Sequence, residues 1–362
     1  TDGSLWAWGN NFNGQNGNGN FGPGAMDLVP TRIGLDNDWA SSAGTIFAIK
    51  TNGTLWGWGS NGNGGLGTGD FEDHFTPVQI GAASDWVAVS GASNQTLALR
   101  SDHTLWGWGL NKSGSLAIGA VDDFILVPTQ TGNNTADWQK IRVGGCCSSK
   151  MIKTDGTLWA MGSANFGNLG IGTVAGFEVN SPTQIGNSNN WDSVSTTFHS
   201  GAIKDDGSLW TWGLNAVGEL GDGTFVNKTS PNQVGTSDTW VSVISGSNHT
   251  VALNTDGTLF TWGYNNHGQL GDGTLNNKNL PAQIGEICNL DTRKFSLKES
   301  FIVSPNPASS TVSINYHSDH AGDATLALTN LAGQTTFQEK LTNNYGMNKN
   351  QIDISTYAPG IY

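Results

Sequence analysis

Cysteine is nearly missing from this chain: Cys146, Cys147 and Cys288 are the three present. An odd count with one adjacent pair supplies neither a disulfide framework nor the paired spacing of a zinc site. Charge is scarce too, at 12% of residues, and the 16 Lys and Arg are outnumbered by 29 Asp and Glu, giving a formal net charge of −13. So acidic a chain repels a phosphate backbone, and no basic stripe reverses that, which excludes nucleic acid as the expected partner. No apolar run approaches the roughly 18 residues of a membrane span. The thin supply of charged helix formers speaks against a helical bundle and against a doubly wound α/β enzyme. Glycine and tryptophan are in excess instead, with 51 Gly and 15 Trp in 362 residues. The glycines follow no collagen-like period, and a chain this rich in Trp, Phe and Val has apolar surface enough to bury a large core. The composition is that of an all-β protein.

All 15 Trp lie between Trp6 and Trp262, and 47 of the 51 Gly lie at or before Gly285, leaving four beyond it. After that point the text turns to Ser, Thr, Asn and aliphatic residues in short alternating runs. The step divides the chain into a first domain over 1–285, a linker over 286–298 and a second domain over 299–362.

The first domain is a repeat, the feature to seek before any other. Asp2-Gly-Ser-Leu-Trp-Ala-Trp-Gly returns with small changes at Asn52, Asp102, Asp155, Asp206 and Asp256, at spacings of 50, 50, 53, 51 and 50 residues. A second phrase follows each, as in Pro77-Val-Gln-Ile-Gly and Pro281-Ala-Gln-Ile-Gly. A third opens at Trp39, Trp86, Trp138, Trp191 and Trp240. Asp-Gly and Asn-Gly between β-forming runs predict two-residue hairpin turns with positive φ at both central positions. Trp6 and Trp8 are two apart and share one strand face, while Leu5 and Ala7 share the other. The residue between the paired aromatics is always Ala, Gly or Thr, which predicts a bulky ring on one sheet lying over a small residue on the next. Short strands with both faces apolar or small, at a period near 50, fit radially packed sheets. The tryptophans are therefore expected in the core.

The phrases from Trp240-Val-Ser-Val through Gly246-Ser-Asn-His-Thr-Val-Ala-Leu to Gly268-Gln-Leu-Gly-Asp-Gly-Thr resemble the repeat of the RCC1 (regulator of chromosome condensation) family. The resemblance covers residues 1 to about 285 and implies a β-propeller of about 50 residues per blade, with six or seven blades. The second domain reads as a small β-sandwich from its alternating Val312/Ile314 and Leu326/Leu328. Ser304-Pro-Asn-Pro, the run from Ala324 to Gln334 and the final Pro359-Gly-Ile-Tyr resemble the C-terminal (type A) sorting domain of the type IX secretion system of Bacteroidetes. Its implied signal residues are Pro305, Asn306, Pro307, Gly333, Gly360, Ile361 and Tyr362. That resemblance implies a protein secreted or attached to the outer cell surface, with the type IX machinery as a partner. The chain starts inside a unit and stops at Gly-Ile-Tyr, so it reads as shortened at both ends.

Motifs that invite chemistry read better as structure. Gly62-Asn-Gly-Gly-Leu-Gly matches a dinucleotide fingerprint by letter, but Thr-Gly-Asp-Phe follows where a helix is required. Asp222 and Asp272 each put one carboxylate in a Gly-rich loop, short of the several oxygens calcium takes, and an Asp stabilising its own turn explains both. His199 and His249 occupy equivalent slots, with Phe47 and Gln95 in the earlier ones, which favours structural histidines. No nucleophile elbow or H-E-x-x-H is present. A sialidase-like arginine cluster would need Arg32, Arg100 and Arg142, which stand at non-equivalent positions. No cofactor, metal site or catalytic residue is expected.

The variable text lies between each Gly-x-Gly and the following Pro. Equivalent loops in a propeller leave the same face, so these form one ring, and binding function concentrates on such loops. The ring carries Phe21, Phe71, Phe75, Phe124, Phe177 and Phe225, is acidic through Glu72, Asp73, Asp122 and Asp123, and is basic at Lys228 and Lys278. The structural alternative has the phenylalanines packing under their own loops. The function expected is non-enzymatic binding of an extracellular protein or polysaccharide. Guanine-nucleotide exchange on a small GTPase, which the RCC1 resemblance implies, fits less well: the spacing leaves no room for a long insertion, and the first domain has 11 basic against 22 acidic residues. A secreted hydrolase is the third alternative.

Overall fold

The computed structural model describes residues 2–44, 46–92, 94–112, 115–118, 123–131, 135–144, 148–172, 178–284, 302–304, 311–318, 321–329, 335–344 and 346–353. The chain forms two compact units, Thr1–Ile287 and Cys288–Tyr362.

The first unit is a succession of antiparallel sheets. β1 (Trp6–Asn10) pairs with β2 (Met26–Arg32) alone. Five four-stranded sheets follow, each ordered as its strands occur in the chain. The first comprises β3 (Trp39–Ala43), β4 (Phe47–Lys50), β5 (Leu55–Gly59) and β6 (His74–Gln79). The next comprises β7 (Trp86–Ala92), β8 (Gln95–Arg100), β9 (Leu105–Leu110) and β10 (Phe124–Gln130). Then come β11 (Trp138–Gly144), β12 (Ser148–Lys153), β13 (Leu158–Ser163) and β14 (Glu178–Gln184). The last two are β15 (Trp191–Thr196) to β18 (Lys228–Gln233), through β16 (His199–Lys204) and β17 (Leu209–Gly213), and β19 (Trp240–Ser245) to β22 (Lys278–Ile284), through β20 (His249–Asn254) and β21 (Leu259–Gly263). The first strands β3, β7, β11, β15 and β19 lie against one another in turn. They are the inner strands of consecutive blades.

Each core cluster straddles two blades. Leu97, Leu99, Leu105 and Leu116 of one meet Trp138, Ile141, Met151 and Met161 of the next. Both faces of a sheet are thus covered, and neither needs a polar side. Trp58, Trp108, Trp212 and Trp262 are buried accordingly. Trp6 and Trp8 depart from the expectation, standing 49% and 62% exposed, because among the described residues β1 has no partner but β2.

The Asp-Gly-Ser/Thr-Leu-Trp phrase is the second hairpin of each blade, and its turn differs from the two-residue form. Gly53 donates to Lys50 O at 2.9 Å and Lys50 to Thr54 O at 3.0 Å, so three residues make the turn. Only the glycine takes positive φ (+77° at Gly53), as in a type I turn closed by a left-handed residue. A side chain there would also collide: a Cβ on Gly53 would lie 2.2 Å from Ser84 O. The rest of the phrase is a relay. Asn52 Oδ1 accepts from Thr54 Oγ1 at 2.7 Å, and Thr54 Oγ1 accepts from Trp56 Nε1 at 2.9 Å. The same relay runs from Asp102 to Trp106, Asp155 to Trp159 and Asp206 to Trp210.

The small residue between the aromatics is explained within its own sheet. Phe47 pairs with Gly57, Leu97 with Gly107, Lys150 with Ala160, Gly201 with Thr211 and Val251 with Thr261. A Cβ on Gly57 would lie 2.9 Å from Ile80 Cδ1 and 3.1 Å from Phe47 Cε1. At Gly57 and Gly107 the bulk that the small residue makes room for lies within the same blade, Phe47 and Ile80 at the first and Leu97 and Leu116 at the second, not in a ring on the next sheet.

The second unit holds two antiparallel sheets, the elements of a small β-sandwich. β23 (Ile302–Ser304), β24 (Thr311–Ser318) and β27 (Gly346–Asp353) form one; β25 (Gly322–Thr329) and β26 (Thr335–Asn343) form the other. Ile314 and Ile352 are buried. The linker and Pro305, Asn306, Pro307, Gly333, Gly360, Ile361 and Tyr362 lie outside the described residues.

Candidate functional site

The loops joining third to fourth strands leave the same end of every blade, and an asparagine brackets them. Asn61 Oδ1 accepts from Leu66 N at 2.9 Å while its Nδ2 donates to Asp70 O at 3.0 Å. Asn61 N donates to Asp73 Oδ1 at 2.7 Å. Asn215 and Asn265 repeat this with Leu220 and Leu270, and with Asn227 and Asn277 in place of Asp73. In the sequence this asparagine closes a Trp-Gly-x-Asn phrase present in five repeats.

The loop charges divide into engaged and free. Asp222 Oδ1 accepts from Thr224 N and Oγ1 at 2.9 and 2.7 Å, and its Oδ2 stands 3.4 Å from Lys228 Nζ. Burial alone would raise that carboxyl's pKa, but the Thr224 and Lys228 contacts hold it below the usual value. Asp272 and Lys278 repeat the pair at 3.5 Å. In the second repeat the two loop positions are exchanged: Thr68 stands in the place of Asp222 and Asp70 in that of Thr224, with Asp70 accepting from Thr68 Oγ1 at 2.8 Å and lying 3.9 Å from His74. Lys228 and Lys278 thus serve their own turns. Glu72 and Asp123 are exposed and have no ion-pair partner among the described residues. Asp73 is exposed while holding Asn61 N. Asp122 and Phe177 lie outside the described residues.

The aromatic residues pair between neighbouring loops. Phe21 stacks on Phe75 with centroids 3.7 Å apart and planes 11° apart, and Phe75 also fills the space left by Gly14. Phe71 meets Phe124 edge-on at 5.4 Å and 88°. Exposure remains high even so: 57% at Phe21, 48% at Phe71, 38% at Phe124 and 59% at Phe225. The rings thus pack on one another between loops rather than under their own, and stay at the surface.

Three features escaped the sequence reading. A cation sits over two tryptophan rings in four blades: Lys50 over Trp39 and Trp56, Arg100 over Trp86 and Trp106, Lys153 over Trp138 and Trp159, and Lys204 over Trp191 and Trp210. The second aromatic of each Trp-x-Trp or Phe-x-Trp phrase reaches back to the preceding blade. Trp58, Trp108, Trp212 and Trp262 donate to the carbonyls of Gln15, Gly65, Asn168 and Glu219 at 2.8–2.9 Å. Met161 stands where the fourth blade would have this Trp, and Gln95 Nε2 takes the corresponding carbonyl of Ser115 at 3.3 Å. Lys150 is wholly buried; burial pulls its pKa down to about 7, and among the described residues its Nζ has only Thr196 Oγ1, at 3.4 Å.

His199 is buried too, its Nε2 2.7 Å from Thr250 Oγ1, and burial followed by the neighbouring His249 lowers its pKa to about 3. Gln95, Ser148 and His249 share its register, each opposite the last glycine of the third strand. Phe47 does not: it pairs with Gly57, as Leu97 does with Gly107, two places further on. Arg100 is held over two rings, Arg32 binds Leu35 O and Arg142 binds Ile141 O. Among the described residues no three of His, Cys, Asp and Glu gather where a metal would sit.

Blades of four antiparallel strands packed face to face around shared inner strands define a β-propeller. Its repeats are those of the regulator of chromosome condensation (RCC1), whose profiles match residues 52–99, 206–253, 256–296 and 240–269, and it is followed by a secretion system C-terminal sorting domain over residues 303–362. Human WBSCR16 superposes with a TM-score of 0.66 at 20% identity, over 77% of this chain and 76% of that one. Yeast RCC1 (Prp20), solved bound to Kap60, gives 0.69 at 19%, over 79% and 72%. Prp20p from Saccharomyces cerevisiae, described with its binding properties to Gsp1p and histones, gives 0.67 at 20%, over 79% and 74%. At such identities the likeness is one of fold. No curated protein sequence matches the chain. The sorting domain makes this an exported protein of the cell surface or extracellular medium, with the type IX machinery as a partner. No helix among the described residues is long and apolar enough to cross a membrane.

Proposed function

We propose that the protein acts by binding, with no catalysis of its own, and that the loop ring is where an extracellular protein or polysaccharide docks. The observation that carries this reading is the set of exposed Phe21, Phe71, Phe124 and Phe225 on loops fixed by buried asparagines. A rigid frame presenting aromatic rings loses little freedom on binding. The loop carboxylates of Asp70, Asp222 and Asp272 cap their own turns, and the buried His199 lies out of reach of a substrate. Both facts favour recognition over chemistry. The test immobilises the full chain and offers it extracellular proteins and polysaccharides from a bacterial culture. A partner retained by the parent and lost when Phe71 and Phe124 become Ala supports the reading. A partner held equally by both sinks it.

A further inference from the structure

In four blades two near-perpendicular tryptophan rings hold a buried or half-buried cation. The Trp pairs Trp39–Trp56, Trp86–Trp106, Trp138–Trp159 and Trp191–Trp210 have centroids 5.9–6.1 Å apart and planes at 77–84°. Over each lies a Lys or Arg, 3.8–4.9 Å from the ring centroids. In three of the four a carboxylate completes the arrangement: Asp36 and Asp38 at Lys50, Asp85 at Arg100 and Asp137 at Lys153. The negative faces of the rings and the carboxylate together hold the positive charge.

The loop ring carries the same parts on the surface. Phe71 and Phe124 stand 5.4 Å apart at 88°, both exposed. Glu72 follows the first ring and Asp123 precedes the second, each exposed and without an ion pair among the described residues. The exposed Lys112 is the cation of the third-repeat loop, and no cation of the chain lies over these two rings among the described residues. The ring's other lysines, Lys228 and Lys278, are held by Asp222 and Asp272. A bare aromatic pair whose faces are turned partly to each other offers a sugar little flat surface, whereas the flanking carboxylates favour a cation.

We propose that this corner of the loop face, resting on the binding role argued above, takes an Arg or Lys side chain from a basic segment of a protein partner. The cation lies over Phe71 and Phe124 and is countered by Glu72 and Asp123. The test uses the full chain at low ionic strength and fluorescence anisotropy of a labelled peptide alternating Gly and Arg, against versions with Gln or Glu in place of Arg. The Arg peptide should bind and the other two should not. Phe71→Ala with Phe124→Ala, which leaves the charge unchanged, should weaken binding at least tenfold. Glu72→Gln with Asp123→Asn should do the same, whereas Tyr at both Phe positions should hold affinity within twofold and show that the fold is intact. Asp205→Asn with Asp238→Asn, removing equal charge elsewhere, should also change it less than twofold. If the Ala pair binds the Arg peptide as well as the parent, or the Asp205/Asp238 pair weakens it equally, bulk acidity explains the binding and the proposal falls. If the Ala pair loses a captured polysaccharide but not the Arg peptide, the loop-face reading stands and the cation assignment falls. If neither responds, both fall.

Discussion

Replacing Lys150 by Met should make the protein more stable, and by an amount that depends on pH. The Lys150 slot holds Phe47, Leu97, Gly201 and Val251 in the other blades, so it is apolar by design of the repeat. Burial brings the ammonium's pKa from 10.5 to about 7, with no carboxylate near it among the described residues. At about 1.4 kcal/mol per pKa unit, that corresponds to a cost on the order of 5 kcal/mol. Methionine has nearly the same shape and nothing to desolvate, so a gain of about 2–4 kcal/mol near neutral pH is expected. The sign follows from proton counts. Between pH 7 and 10.5 the unfolded chain keeps this proton and the folded chain has released it, so the parent gains stability as pH rises. Below about 7 both states are protonated and the penalty is constant and largest. Above 10.5 it vanishes. Urea unfolding followed by tryptophan fluorescence, from pH 6 to pH 10 on parent and variant, reads the difference directly. It should shrink by up to about 1.4 kcal/mol per pH unit as pH rises through the window. A difference that stays flat would show that Lys150 is not desolvated, and a destabilised variant would show that its amine has a partner worth keeping.

Trp108→Ala removes a fully buried ring and the bond to Gly65 O, and should lower stability by about 3–5 kcal/mol, whereas Trp8→Ala, at a 62% exposed position, should cost less than about 1 kcal/mol. Equal losses in thermal unfolding would contradict the blade packing. His199, lowered to about 3, is neutral in the fold while the unfolded imidazole takes a proton near 6.5. The stability it confers is therefore lost as pH falls from 6.5 toward 3, by at most about 1.4 kcal/mol per unit. His199→Gln, the residue at the equivalent Gln95, should flatten the acid limb of stability against pH; an unchanged limb would place the acid sensitivity elsewhere.

The architecture was legible because it is written six times. One Trp-x-Trp phrase is ambiguous, but six at a near-constant spacing leave little besides a radial stack. The turn type was not legible, since Asp-Gly serves two- and three-residue hairpins equally, and only the bond from Lys50 to Thr54 O separates them. Phe47 was placed two residues off because the first hairpin of that blade is shorter than the others, which letters alone align wrongly. On the loop face the exposed phenylalanines could be named in advance, but not their pairing between loops. That depends on how neighbouring blades set Phe71 beside Phe124. Nor could the charges be sorted: Lys228 and Glu72 look alike as loop residues, and only the Asp222 contact shows that one is committed and the other free.

The indole bonds that join the blades all point one way along the chain. Each donor comes 43 or 44 residues after its acceptor. A polypeptide that emerges N-terminus first therefore has every carbonyl in place before the tryptophan that needs it arrives. Assembly by nearest neighbours then runs in step with emergence, one blade closing on the last. The sorting domain follows the propeller along the chain, so its cargo has emerged before the address can be read.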